Sequence, residues 1–329
     1  MSELVRVGVV GTGFGARVVA PAFAATDGCE VVDVVSARDA TEVAALCRRD
    51  DVDLISVHSP PYLHDPHVRL ALAAGHAVLC DKPFTTDEET ASALVADLPV
   101  GGVHLLNFEF RFDPVRRRIA DLLAAEEIGP IEHFSWTAYT NGSREPMRRY
   151  GWLFERDAGG GWIGAWGSHA VDAMRVWFGE LVVETSRPVV VVRERPDRDD
   201  PEHLHAVDAE DSFTATLRVA YDEGPTITID TGFAAVAPPS PRYVFFGRDG
   251  TLECVADRHL TIRRPGGTQE PVDIAVPPAA DPHADPMAGL VVRARDAVRS
   301  GVVPPDLPTF ADGLAVRRIL DRLQAPLLT

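Results

Sequence analysis

The feature that most constrains this chain lies near its start, where the apolar run Val5–Val10 leads directly into Gly11-Thr12-Gly13-Phe14-Gly15-Ala16. A short, nearly continuous apolar run is what a strand buried on both faces of a parallel sheet requires. The six residues after it fit G-x-G-x-x-G/A. Gly11 supplies a tight turn, and Gly13 lets the backbone come close to a phosphate. The small Ala16 lets the next helix pack on the strand, with its N-terminus facing a pyrophosphate. The motif alone is weak, and a merely tight strand-to-helix turn is the alternative. Its place between a strand and the small-residue stretch 16–25 makes it a dinucleotide-loop signature.

The alternation continues. Residues 30–36 read as a strand, 40–49 as a helix and 53–58 as a strand, followed by a break at Ser59-Pro60-Pro61. Residues 67–74 have helical spacing and stop at Gly75, and 77–80 form a strand. Thr86 or Asp87 can cap a helix that ends before Pro99. Such alternation implies a parallel sheet covered on both faces, with ligands bound beyond the carboxyl ends of its strands. Those ends carry the glycine loop, Ser59-Pro60-Pro61 and Asp81-Lys82-Pro83.

One unit is missing. Only sixteen residues separate Ser36 from Asp53, whereas a further strand would need about 30 per βαβ unit. The lost strand is the third, beside the adenosine pocket. The acid expected about 20 residues after the glycines is also absent. Ser36-Ala37-Arg38 stand there, with Asp33 inside the strand and Asp39 just past it. Ser36 and Arg38 suit a 2′-phosphate better than a free 2′-hydroxyl, which favours NADP(H) over NAD(H).

Lys82 is the only lysine of the chain; every other cationic side chain in the Lys+Arg total of 32 is arginine. An ammonium is a compact donor that shifts its pKa on burial, whereas a guanidinium stays charged and planar. Composition drift would also leave a lone lysine. Its position at a strand end, where a bound cofactor would meet its substrate, favours a functional reading.

The 46% hydrophobic and 25% charged residues are those of a soluble globular protein. No apolar run approaches the roughly 20 residues that span a bilayer, and the first ten residues read as a strand and not as a signal peptide. A net charge of −17 repels a polyphosphate backbone, so no nucleic-acid partner is expected. Cys29, Cys47, Cys80 and Cys254 are scattered without a C-x-x-C pair, as expected of free thiols in a cytoplasmic protein.

From about Asn107 the alternation of strand and helix stops. Ser212–Val219 and Thr226–Gly232 alternate and read as antiparallel strands. The division is therefore a dinucleotide-binding domain over 1–106 and an α+β substrate and oligomerisation domain over 107–329. The charged stretch 193–211 reads as a solvated connector. His203 and His205 lie within it, but no ligand set of suitable spacing surrounds them, so no metal is expected. Trp152, Trp162 and Trp166, with Tyr139 and Tyr150, cluster around a glycine-rich segment. They read equally well as a sugar-binding cleft or as core.

The segment VHSPPYLHDPHVRLALAAGHAVLCDKPF resembles the Gfo/Idh/MocA family of oxidoreductases, with its Pro-Pro, a following histidine (His64), an Ala-Gly helix end and an E-K-P tripeptide. The tripeptide here is Asp81-Lys82-Pro83. The likeness continues through NFEFRFDPVRRRIADLLAAEEIGPI, GGGWIGAWGSHAVDAMRVWFG and PTFADGLAVRRIL, and so spans nearly the whole chain. It implies a Rossmann domain followed by an α/β domain with a large, open, mostly antiparallel sheet. It also implies NAD(P)-dependent chemistry on sugars, inositols and related carbinols or ketones, in a homodimer or homotetramer formed through that sheet.

On the resemblance, Ser59, Pro60, His64, Asp81 and Lys82 are cofactor-side residues, and Lys82 also stabilises alkoxide charge. His169, in Gly167-Ser168-His169-Ala170-Val171-Asp172, is the general acid/base, and Asp172 orients it or caps its helix. Asn107, Glu109, Arg111, Tyr139, Trp152 and Trp166 are candidate substrate contacts. Many members carry an aspartate four residues before the histidine; this chain has Ala165. Glu109 is a candidate substitute acid, or a partner of Arg111. A non-catalytic ligand- or dinucleotide-binding regulator is the alternative function, and redox-neutral chemistry with tightly held NAD a weaker third.

Overall fold

The computed structural model describes residues 4–220, 224–274 and 281–325. Two compact units emerge: Met1–Asp113 with Pro278–Arg318, and Pro114–Pro277 with Ile319–Thr329.

The first unit is built on five parallel strands: β1 (Val5–Val10), β2 (Cys29–Val35), β3 (Leu54–Val57), β4 (Ala77–Cys80) and β5 (His104–Leu106). Their order is β2-β1-β3-β4-β5, the doubly wound order without its third strand. Between them run α1 (Ala20–Ala24), α2 (Ala40–Cys47), α3 (His64–Ala73) and α4 (Glu88–Ala96). Asp39 caps α2 by accepting the Thr41 and Glu42 N–H groups, and Asp87 caps α4 through Thr90. Helix α3 starts three residues before the expected His67, because a 3-10 turn at Pro61–Leu63 feeds directly into it.

The second unit contains α5 (Pro114–Ala124), β6 (Ile131–Tyr139), α6 (Ser168–Phe178) and β7 (Leu181–Val189). There follow β8 (Glu194–Pro196), β9 (Leu204–Ala206), β10 (Ser212–Val219), β11 (Thr226–Gly232) and β12 (Arg242–Gly247). The last strands are β13 (Gly250–Val255), β14 (His259–Arg263) and β15 (Gln269–Val272). An eight-stranded sheet runs β15-β14-β13-β12-β6-β11-β10-β7, antiparallel throughout except between β6 and β11. Its buried face is aromatic. Phe134 and Trp136 of β6 meet Phe245 and Tyr243 of β12 at 4.7 and 4.8 Å, and Phe178 of α6 closes on Phe134 at 5.3 Å.

Residues 193–211 are not a plain connector. β8 and β9 pair as a hairpin around a fully buried Arg195. Its guanidinium donates to the Ser143 carbonyl at 2.5 Å, lies 3.8 Å over the Phe154 ring and sits 4.0 Å from Asp211. Burial lowers its pKa to about 10, against the pull of Asp211. One buried arginine in a run of solvated charges leaves no trace in composition, which is why the hairpin was hidden.

The chain then returns to the first unit with α7 (Ala284–Ser300), and α8 (Phe310–Gln324) follows. Met287, Leu290, Val291, Ala294 and Ala297 form the buried stripe of α7 and share one core with Val5, Val7 and Val9 of β1 and Phe23 of α1. The opposite face of β1 takes α2, where a Cβ on Gly8 would lie 2.8 Å from Leu46. A parallel sheet must be covered on both faces, and α7 supplies part of one cover. The compact units therefore differ from a single cut after residue 106: the first keeps the turn after β5 and reclaims the segment around α7. Among the described residues no helix is long and apolar enough to cross a membrane.

Candidate active site

In the first unit, the ends of β1, β3 and β4 converge. Gly11 has φ +130°, and a Cβ there would lie 2.4 Å from the His58 carbonyl oxygen, so only glycine fits. A Cβ on Gly15 would press on His58 and Val9 at 3.0 Å, whereas one on Gly13 would meet nothing within 4 Å. The loop is thus locked at both ends and open in the middle, with Thr12 and Gly13 exposed. Phe14 is half-buried, its ring 6.0 Å from that of His58. A π-helical turn, Gly15–Val19, begins at the end of the loop and contains Ala16. Such turns recur at functional sites.

The end of β3 carries a chain of buried polar groups. Ser56 Oγ lies 2.7 Å from His58 Nε2, and His58 Nδ1 lies 3.3 Å from Asp81 Oδ2. Asp81 Oδ1 accepts the Lys82 backbone N–H at 2.9 Å and Asn107 Nδ2 at 3.1 Å. Burial pushes the Asp81 carboxyl up, but the His58 imidazole and the Lys82 and His64 charges outweigh it and hold the group at about 2. Asp81 is therefore a carboxylate across the working pH range. Half-buried Lys82 is joined to Pro83 by a cis peptide bond. Asn107 is fully buried, and its Oδ1 has no hydrogen-bond partner among the described residues.

His64 does not present a nitrogen to a ligand. It is fully buried, with Nε2 2.8 Å from the Ser59 carbonyl and Nδ1 3.0 Å from the Pro83 carbonyl. Burial lowers its pKa, against Asp81. It braces the Ser59-Pro60 loop against the Lys82-Pro83 loop, and Ser59 Oγ is tied in turn to His67 Nδ1 at 3.2 Å. At the end of β2, Arg38 is exposed and its N–H donates to Ser36 Oγ at 3.3 Å, while the Ser36 N–H donates to the Glu42 carboxylate at 3.2 Å.

A 3-10 turn at Glu109–Phe112 follows β5. Arg111 donates to Asp312 at 2.8 Å, and buried Glu109 meets His283 at 2.7 Å.

In the second unit, His169 and Asp172 lie on α6, 6% and 3% exposed. A π-helical turn, Ile163–Gly167, leads into α6, and Gly167 holds its N-cap position without a side-chain cap. The turn is clamped at its start: Trp162 N–H donates to the Glu210 carbonyl at 2.8 Å and Ile163 N–H to the Glu210 carboxyl at 3.0 Å. Gly161, at φ +100°, passes so close that a Cβ would lie 2.2 Å from that carboxyl. Burial raises the Glu210 pKa. Arg116 reaches the His169 carbonyl at 3.5 Å.

Ala165 packs with Trp152, Trp162 and Tyr150 against Leu153, Phe154 and Phe233. The place of the family's aspartate is thus apolar. Trp166 abuts Trp136 at 5.1 Å, and Trp162 stacks on Phe233 at 4.6 Å. Tyr139 donates to Asp230, and its pKa is pushed up to about 12 by burial and that carboxylate. His205 stacks on Tyr150 at 4.3 Å and meets Asp197 at 2.7 Å, so it serves the hairpin.

The first unit thus brings together the glycine loop, Ser59, Pro60, His64, Asp81, Lys82 and Asn107, while Tyr139, Trp152, Trp166, His169 and Asp172 belong to the second. Sequence reasoning missed His58, Glu210 and His283. A histidine ending the buried strand before Ser-Pro-Pro was the available signal for His58; for the others there was none.

The profile described as an oxidoreductase family with an NAD-binding Rossmann fold matches residues 5–105, and that of the GFO/IDH/MocA C-terminal domain matches residues 116–253. The chain belongs to the GFO/IDH/MocA family of NAD-binding oxidoreductases. An uncharacterized oxidoreductase from Synechocystis sp. is 29% identical over 237 residues, 67% of this chain and 64% of that protein. The chain therefore spans just under two thirds of that relative. Levoglucosan dehydrogenase in complex with NADH and L-sorbose superposes with a TM-score of 0.83 at 20% identity, over 97% of this chain and 95% of that one. At that identity the likeness speaks to the fold. A variant of a 3-ketoreductase from Actinomadura kijaniata, in complex with TDP-benzene and NADP, gives 0.73 at 25% identity, over 98% and 97%.

The first unit fits a dinucleotide in this GFO/IDH/MocA protein. The loop is open at Thr12 and Gly13, the glycines at its ends are tightly packed against His58, and an unpartnered acceptor on Asn107 lies beside Asp81.

Proposed function

We propose that this GFO/IDH/MocA protein is an NAD(P)-dependent oxidoreductase acting on a carbinol or ketone of a sugar, inositol or similar polyhydroxylated molecule. The observation that carries this reading is Asp81-Lys82 at the end of β4, with Asp81 held ionised beside the open glycine loop. The nicotinamide supplies hydride transfer to or from carbon when bound. Lys82 places a compact positive charge for the oxygen that gains negative charge at that carbon. His169 holds or takes the hydroxyl proton, with no carboxylate at 165 to relay it. The names of the relatives support a sugar-like substrate, and both NADH and NADP occur in the structural neighbours.

NADP(H) is the favoured form. Arg38 is exposed at the end of β2, and a 2′-phosphate would displace Glu42 from the Ser36 N–H. Homo-oligomerisation through the eight-stranded sheet and a cytoplasmic site belong to the same reading. The second reading, a dinucleotide-binding regulator without turnover, rests on the apolar seat of Ala165. Turnover decides between them. With a substrate found by screening sugars and inositols, Lys82→Met and His169→Ala each lower kcat by about a hundredfold or more. Near-normal rates in both variants would falsify the assignment.

A further inference from the structure

Glu109 and His283 are 174 positions apart, yet Glu109 Oε1 lies 2.7 Å from His283 Nδ1. The carboxylate is 1% exposed and the imidazole 32%. A buried carboxylate is costly unless a partner satisfies it, so the contact anchors Glu109. It does more for the histidine. With Nδ1–H given to the carboxylate, the ring is fixed and Nε2 is turned away from Glu109, as in any carboxylate-oriented imidazole. Among the described residues Nε2 has no hydrogen-bond partner.

The surroundings say what Nε2 serves. The ring is set between Phe14 at 5.2 Å, edge-on, and Phe110 at 5.2 Å. Phe14 directly follows Gly13 in the open part of the glycine loop, and its ring also lies 6.0 Å from that of His58. Helix α7 packs closely on the Glu109–Phe112 turn: a Cβ on Gly289 would lie 2.7 Å from Phe112, which shares the core of Met287 and Leu290. Helix α7 thus delivers a pre-oriented imidazole beside the loop.

We propose that His283 is a cofactor-binding residue whose Nε2 accepts a hydrogen bond from a hydroxyl of the nicotinamide-side ribose of the dinucleotide, and that Glu109 positions it. This rests on the reading of the first unit as a dinucleotide site. His283→Asn separates the two functions of the ring, because the asparagine amide replaces Nδ1–H toward Glu109 but has nothing at the place of Nε2. NADH, ADP-ribose and AMP are titrated into wild type and variant, with thermal unfolding alongside. His283→Asn weakens NADH and ADP-ribose by about tenfold or more, leaves AMP unchanged and unfolds near the wild-type temperature. NADH affinity within twofold of wild type in the folded variant overturns the assignment.

If the variant does not fold, carbethoxylation of His283 in the wild type, read by mass spectrometry, decides. ADP-ribose protects it and AMP does not; equal modification with and without ADP-ribose overturns the assignment. Wild type that binds neither NADH nor NADPH overturns the dinucleotide reading itself, and the assignment with it.

Discussion

Asp81, partly buried, and Glu210, buried, are carboxyls at the foot of a candidate site, one in each unit, and their environments push them in opposite directions. Asp81 faces His58 and the Lys82 charge and is held at about 2. Glu210 is raised by burial, and its carboxyl receives the Ile163 N–H at the start of the turn that carries His169. The first unit stores fixed charge where a charged dinucleotide would bind. The second uses its buried acid as a backbone clamp and surrounds the clamp with Trp162, Trp166 and Phe233. On the proposed function, the charge would sit beside the dinucleotide and the stiffness at the turn before His169, the proposed acid/base.

Two substitutions break the comparison in turn. Asp81→Asn has the larger effect. With a folded pKa of about 2 against about 3.9 unfolded, the carboxylate's contribution is fully present above pH ~4 and lost as pH falls toward 2. The variant therefore loses on the order of 2 kcal/mol of stability at pH 7, and its stability falls less steeply than wild type between about pH 4 and 2. Denaturant unfolding across that range checks it, and parallel curves for both proteins would refute the charge-storing role.

Glu210→Gln has the smaller effect. A carboxyl with a raised folded pKa stabilises most when protonated, below its unfolded value of about 4.3, and less once pH rises through the folded pKa. Glutamine keeps the acceptor for Ile163 and removes the ionisation, so stability at pH 7 changes by less than about 1 kcal/mol. A loss as large as that of Asp81→Asn would show that Glu210 acts through charge.

What could be read from the sequence follows the range of the interactions. The strand, glycine loop and helix sequence was legible because each element is specified within a few residues, and Ala77–Cys80 matches its expected strand. The missing third strand was legible as a length. Lys82 stood out through composition alone. What was hidden is long-range. The buried face of α7 is periodic in sequence, but nothing local says that it completes the core of β1. Arg195 looks like its solvated neighbours until the hairpin closes over it. His283 becomes a site residue only through Glu109, far away in the chain. The π-helical turns at Gly15–Val19 and Ile163–Gly167 had no spacing to betray them, although each lies at one of the two candidate sites.

The claim on which the rest depends is that the first unit, with its third strand missing, holds a nicotinamide dinucleotide. Fluorescence titration of the purified protein with NADH and with NADPH, at near-physiological salt, tests it directly. The account predicts saturable micromolar binding, tighter for NADPH. No saturable binding of either, by folded protein shown to carry no cofactor already, would contradict it.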